Sequence, residues 1–450
     1  MSEQDRFRKF REEVLDKNSP SICAAKWNNA TIWLYSGVTA SCHHPPSHHI
    51  PLEEIRNNPS AIHNTKFKKE VRKQMQEGKR PKECDYCWRI EDMGPQFISD
   101  RVFQSVSFSP EEIKKLKEQS YQKDVNPTYL EIAFDRICQF ACSYCNPSFS
   151  TTWVKDIQTH GAYKNLKTDK REHYTHNHNQ NDPYFGKDSN PYIEAFWKWW
   201  PDLKNDLNIL RITGGEPLMS PHLWRLLENL EDSAPEKLKL AINSNLGAKP
   251  ELIEKLIGAS KKINHLQIYT SNEAFDNHAD YIRDGMKYSY WRENFRRLKN
   301  EGNVDKIHVM MTISSLCLFS IDKFLDDMME LKNEFGANTP SLTMNIVRWP
   351  IFQSPLVAPM EIRMDAANRL EKWLIRNSTT PLLQEHERSH CERLINYLRN
   401  VNQGTDDAAS RSDLEKDLKR FILQYDQRRN KNFFSTFPKE ATDWINSISI

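Results

Sequence analysis

The sequence predicts an α/β fold built on a parallel sheet. Six short apolar segments, rich in β-branched and aromatic residues, recur between about residues 128 and 350. Amphipathic helical stretches lie between them. Two further motifs, one of cysteines and one of glycines, each follow directly after a strand-like run. Strands alternating with helices imply parallel pairing through right-handed crossovers, and ligands of such sheets gather at the C-terminal strand ends.

Along the chain, Ala30 to Tyr35 and the turn at Ser36 and Gly37 read as a β-hairpin. Phe67, Val71 and Met75 form a helical stripe that stops near Gly78. The six strands are expected at Tyr129 to Phe134, Asn208 to Thr213, Leu238 to Asn243, Leu266 to Thr270, Lys306 to Ile313 and Leu342 to Val347. Between them, Leu252, Ile253, Leu256 and Ile257 make one buried helical stripe; Phe324, Met328 and Leu331 make another, ending at Gly336.

Tyr163 to Ser189 is polar and without period, so it is expected as a large surface loop, in which His173, His176 and His178 are ordinary solvated side chains. Phe196, Trp197, Trp199 and Trp200 suit helix packing better than stacking on a substrate. Past Pro350 the chain reads as helical and charged, with stripes at Leu370, Trp373 and Leu374 and at Leu394, Ile395 and Leu398; Val401 to Asp413 reads as a flexible link. The domain boundaries expected are 1–124, 125–350 and 351–450.

At 450 residues and 38% hydrophobic content the chain can bury a sizeable core. A net charge of +2, with both signs interleaved, gives no electrostatic footprint for nucleic acid. No run approaches the ~20 apolar residues of a membrane span, and Met1 to Phe10 is charged rather than signal-like. The expectation is a cytoplasmic protein without membrane partners. Its nine cysteines are then metal ligands or buried apolar residues rather than disulfides. Cys317 and Cys391, without partners at ligand spacing, belong to the buried class.

Cys138, Cys142 and Cys145 stand directly after the first strand of the repeat. Three thiolates this close can meet on one inorganic centre, and in a four-iron cluster they leave one iron open to a ligand that is not protein. The same spacing also suits zinc with a fourth ligand. After the second strand comes Gly214-Gly215-Glu216-Pro217, whose glycines let the backbone approach a ligand closely and whose carboxylate can accept from a cationic group. Ser220 and Pro221 then start a helix.

Cys138-Gln-Phe-Ala-Cys142-Ser-Tyr-Cys145 together with Gly214-Gly-Glu-Pro217 resembles the radical S-adenosylmethionine (SAM) superfamily. The resemblance implies a partial (β/α)6 barrel, a 4Fe-4S cluster on the three cysteines, and SAM chelating the open iron. Gly214, Gly215 and Glu216 would receive its amino group, and Tyr144 would lie against the adenine. Ser271-Asn-Glu273 and Arg283 resemble the superfamily's contacts to the SAM ribose and carboxylate; an arginine fork grips carboxylates well. Asn243-Ser244-Asn245 resembles its Ser-Asn-Gly turn, with Leu246 in place of the glycine and Gly247 displaced by one; Asn243 and Asn245 either line the pocket or make the turn.

Cys23, Cys42, Cys84 and Cys87, with Gly37 five residues before Cys42, resemble the twitch module, a short relative of the SPASM auxiliary-cluster domain, here placed before the barrel. The proline expected near Lys26 in that group is missing. The resemblance implies a second, auxiliary 4Fe-4S cluster suited to electron transfer; structural zinc on the same four residues is the alternative. His43, His44, His48 and His49 crowd the Cys42 loop and by default are solvated.

The activity implied is reductive cleavage of SAM to a 5'-deoxyadenosyl radical that abstracts hydrogen from a substrate carbon. A peptide or protein side chain is the expected substrate, and a small molecule such as a sugar or nucleotide the alternative. The partners implied are that substrate and an electron donor such as flavodoxin or ferredoxin. A zinc-stabilised binding protein without catalysis is the competing class; it leaves Glu216 at a strand end unexplained.

Overall fold

A computed structural model of the protein describes residues 3–174, 182–231, 235–400 and 409–450. In chain order the strands are β1 (Asn29–Trp33), β2 (Val38–Ala40), β3 (His48–His49), β4 (Tyr129–Ala133), β5 (Ala141–Cys142), β6 (Ile209–Thr213), β7 (Lys239–Asn243), β8 (Leu266–Ser271), β9 (Arg283–Asp284), β10 (Lys306–Ile313) and β11 (Ser341–Ile346). The six strands expected from sequence are β4, β6, β7, β8, β10 and β11, and the fold class is α/β. His176, His178 and residues 401–408 of the expected link lie outside the described residues.

The chain divides into two compact units. Met1–Asp135, Pro183–Thr213 and Ser233–Leu240 form the first; Arg136–Asp182, Gly214–Asp232 and Ala241–Ile450 form the second.

In the first unit β1 and β2 pair antiparallel across the Gly37 turn, where φ is +67°, and β3 extends the hairpin. The other edge of β1 runs parallel to β4, Ile32 opposite Ile132, and β4 runs parallel to β6. The N-terminal hairpin therefore continues the ladder of the first repeat strands. Ile32, Leu130, Ile132, Leu210 and Ile212 are buried on alternating positions, as the two-residue period of a strand requires. Helix Pro191–Leu203 buries Phe196, Trp199 and Trp200, so its aromatics pack.

A helix forms at Lys66–Gln76, where the stripe is expected, but its buried face differs. Phe67 is 46% exposed, while Lys68, Val71, Arg72 and Met75 point inward. The two cations are drawn in by bonds to buried acceptors: Lys68 Nζ donates to Thr39 Oγ1 and the Ala40 carbonyl, Arg72 to the Lys26 carbonyl and Asn64 Oδ1.

In the second unit β8, β10 and β11 run parallel. Their alternate side chains (Leu266, Ile268; Ile307, Val309, Met311, Ile313; Leu342, Met344) are buried, and β11 packs against helix Glu385–Arg399. The opposite side chains of these strands, Gln267, Tyr269, Ser271, Lys306, His308, Met310 and Thr312, are only half-buried. Helices Met360–Arg376 and Glu385–Arg399 bury the expected stripes, and Cys317 and Cys391 are buried thiols.

The stretch after Tyr163 departs from expectation. Tyr163 and Tyr174 are buried against Trp153 and Phe421, and Thr168 bonds Asp417 through its N–H and hydroxyl. Polar composition misled because the apolar anchors are two lone tyrosines without period. No described helix is long and apolar enough to cross a membrane.

Candidate functional site

The three cysteines after β4 occupy one loop of the second unit. Cys142 lies in β5, which pairs antiparallel with β9 so that it faces Arg283 across the ladder. The loop's carbonyls are held by buried donors: Tyr425 Oη reaches the Ala141 carbonyl (2.9 Å), Trp153 Nε1 the Cys142 carbonyl (3.0 Å), and Tyr174 Oη and Gln353 Nε2 the Ser143 carbonyl (2.7 and 2.8 Å). Four distant segments thus fix three consecutive peptide units, and none had a sequence signal.

Donors also face the sulfurs. The Phe140 N–H lies 3.4 Å and Asn245 Nδ2 3.8 Å from Cys138 Sγ, and Arg283 Nη1 lies 3.8 Å from Cys142 Sγ. Such donors favour thiolate over thiol. Burial works the other way and dominates, pushing Cys142 up to about 11 and Cys145 to about 12, with Cys142 raising Cys145 further. Burial therefore favours the thiol form of these side chains, and a metal ion bound there would have to displace their protons.

The glycine motif docks on this loop. The Glu216 N–H donates to the Ile137 carbonyl (2.6 Å), and a Cβ on Gly215 would sit 2.3 Å from that same oxygen, so only glycine allows the approach. Gly214 has φ +125°. Glu216 is fully buried and turned away from solvent: its carboxylate accepts from Ser244 Oγ (2.8 Å), the Asn245 N–H (2.6 Å) and the Leu218 N–H (3.1 Å). It ties the end of β7 to the glycine turn. Burial raises its pKa to about 7 against those three donors.

The displaced glycine has a physical reason. Leu246 takes the left-handed conformation of the turn (φ +53°) and buries its side chain, while Gly247 gives room to Phe140, whose Cζ would lie 2.2 Å from a Cβ there. Phe140, between the first two cysteines, is thereby wedged in place; sequence reasoning passed over it. Asn245 Oδ1 accepts from Gln139 Nε2 (3.0 Å) and the Gly247 N–H (2.9 Å), so it makes the turn and faces the cysteine loop together.

Glu273 and Arg283 meet as a two-pronged buried pair, Nη2–Oε2 2.7 Å and Nε–Oε1 3.2 Å, and Tyr144 Oη donates to Glu273 Oε1 (3.0 Å) beneath the guanidinium. Burial opposes the charge of Arg283, but Glu273, Tyr144 and Cys142 outweigh it and raise its pKa. Asn243 and Ser271, the last residues of β7 and β8, are half-buried at the same strand edge.

In the first unit Cys23, Cys42, Cys84 and Cys87 line one cavity together with Lys26. Cys23 and Cys84 are pushed up to about 12 and Cys87 to about 11, in each case first by burial; Cys42, Cys84 and Cys87 add to the shift at Cys23. His44 pairs with Asp100 and stacks on Tyr86; His48 bonds Thr65 Oγ1 (2.9 Å). Among the described residues no three His, Cys, Asp or Glu side chains close round a single metal ion. A four-iron cluster is a larger object gripped at its corners, and all-thiol donor sets fit it.

Among curated proteins none matches this chain. A solved structure, native anSMEcpe with bound AdoMet and Kp18Cys peptide, aligns with a TM-score of 0.26 and 11% identity over 38% of this chain. The likeness spans 49% of that chain, about half its length. The family model of the Radical SAM superfamily matches residues 132–327, the stretch that carries the three cysteines, the glycine turn, Glu273 and Arg283. Residues 132–327 are thus similar to the radical SAM domain, over somewhat less than half of this chain's length.

Proposed function

We propose that the protein cleaves SAM reductively and uses the resulting 5'-deoxyadenosyl radical to take hydrogen from a carbon of a peptide or protein side chain, which is then oxidised or otherwise modified. The observation that carries this reading is the docking of the Gly214–Gly215 turn onto the cysteine loop, within one compact unit of the chain. A structural zinc clip needs no such turn.

In this reading residues 1–124 are a twitch-like auxiliary domain, 125–350 a partial radical SAM barrel, and 351–450 a helical extension. A 4Fe-4S cluster on Cys138, Cys142 and Cys145, with SAM, supplies the one-electron scission of a carbon–sulfur bond. The chain's residues do the rest. Backbone carbonyls at Gly214 and Gly215 accept from the SAM amino group while Glu216 holds the turn. Arg283, oriented by Glu273, faces the SAM carboxylate, and Tyr144 offers its ring to the adenine; Asn243 and Ser271 line the same edge. Buried Phe140, Trp153 and Tyr174 keep water from the loop. Cys23, Cys42, Cys84 and Cys87 hold an auxiliary 4Fe-4S cluster that takes the substrate's electron. The reductant is a flavodoxin or ferredoxin, and the setting is the cytoplasm.

Anaerobic reconstitution tests this. The reading expects about eight irons per chain, from two four-iron clusters. Cys142→Ala abolishes SAM cleavage; Cys87→Ala keeps some uncoupled cleavage and loses product. Zinc alone, or a preparation that leaves SAM whole under strong reductant, rejects the reading. Product on a sugar or nucleotide instead of a peptide would keep the radical chemistry and move the substrate class.

A further inference from the structure

We propose that Lys26 is the counter-ion of the four-cysteine site and raises the reduction potential of the cluster held there. The inference rests on the reading that Cys23, Cys42, Cys84 and Cys87 carry iron and sulfide.

Lys26 sits three residues after Cys23 on the short helix Ala25–Asn28, is 2% exposed, and lines the same cavity as the four thiols. Its Nζ pairs with Glu83, the residue before Cys84. A charge so placed is barely screened by salt, unlike a lysine on the surface.

Besides Asp100 at the cavity and Glu83 on Lys26, two more buried basic side chains lie close by. Arg72, fully buried, donates to the Lys26 carbonyl (2.9 Å), Asn64 and His63, and buried Lys68 donates to Thr39 and the Ala40 carbonyl. Among the described residues neither makes an ion pair with a carboxylate. A buried cation without enough anionic partners is costly, and four thiolates round an iron-sulfur core would supply negative charge beside Lys26. Reduction adds one more electron to that group, so a fixed desolvated cation stabilises the reduced form more than the oxidised one. A higher potential suits a centre that accepts one electron from a substrate radical while the substrate loses a proton to solvent.

The test uses the full chain in a Cys142→Ala background, so that only the auxiliary centre contributes, with redox titration followed by electron paramagnetic resonance. Lys26→Met should lower the midpoint by at least a tenfold change in the equilibrium, 59 mV for one electron. Lys26→Arg, which keeps the charge, should stay within that margin. Glu83→Gln, which removes the opposing anion, should raise the midpoint, a reversal of sign that a structural role does not produce. If Lys26→Met fails to hold about four irons, the Arg and Glu83 variants decide alone. About four irons with an unmoved midpoint in Glu83→Gln overturns the role of Lys26 and leaves the cluster standing; zinc in place of iron overturns both.

Discussion

Arg283 and Glu273 bridge β9 and the end of β8 through two parallel contacts, and the third guanidinium nitrogen of Arg283 is left facing Cys142 Sγ at 3.8 Å. One carboxylate thus aims a cation at a cysteine of the loop. Breaking a buried pair by removing one charge strands the other, which costs about 3–5 kcal/mol. Glu273→Gln is therefore expected to lower unfolding free energy by that order in the iron-free chain and to weaken SAM binding in the reconstituted one. Arg283→Lys keeps the charge but cannot bridge both oxygens; urea unfolding should place it between the two.

Glu216 makes stability depend on pH. Its carboxyl is raised to about 7 from an ordinary value of 4.5, so between those values the folded chain holds a proton that the unfolded chain releases. Stability from this group is present below about pH 4.5 and is lost as pH rises through about 7. The shift corresponds to about 3 kcal/mol. The difference in unfolding free energy between the iron-free wild type and Glu216→Gln should fall by that order from pH 4.5 to 7.5; a flat difference would show that the three donors to Glu216 outweigh its burial.

Phe140 and the glycines around it give a steric test. A methyl at Gly247 meets the Phe140 ring at 2.2 Å, and one at Gly285 meets it at 2.8 Å in a backbone with φ +99°. Gly247→Ala should cost about 1–3 kcal/mol by overpacking and reduce retained iron. Gly258 is the control, since nothing lies within 4 Å of its added Cβ in helix Pro250–Ser260. Gly258→Ala should leave iron content unchanged and raise stability by about 0.5–1 kcal/mol.

The contrast between Phe140 and the strands shows what the sequence makes legible. β4, β6, β7, β8, β10 and β11 declare themselves as short apolar runs rich in β-branched and aromatic residues, a local property of five to eight residues. Cys138, Cys142 and Cys145 are legible because they lie within a short motif, whereas Cys23 and Cys42 stand apart and are linked only by resemblance. Glu273 and Arg283 pair across ten residues and were found only through resemblance. Lys68 and Arg72 were hidden because cations normally mark the solvent face of a helix, and only their distant acceptors turn them inward. Trp153, Tyr174, Gln353 and Tyr425 act on the cysteine loop from up to 284 residues away, a relation no local pattern encodes.

That last grip is testable through Tyr425, whose ring is buried on helix Arg411–Arg429 and whose hydroxyl donates to the Ala141 carbonyl beside Cys142. Tyr425→Phe keeps the ring and its packing against Phe421 and Trp153 while leaving that buried carbonyl short of a donor. The cost is expected at about 1–3 kcal/mol. Because the missing bond lies in the cluster loop, its effect should concentrate there: a chelator should strip iron from the three-cysteine site faster than from wild type. The four cysteines of the N-terminal unit should lose theirs at the wild-type rate, measured in a Cys142→Ala background. Equal acceleration at both sites would mean that Tyr425 supports the chain at large and not the loop.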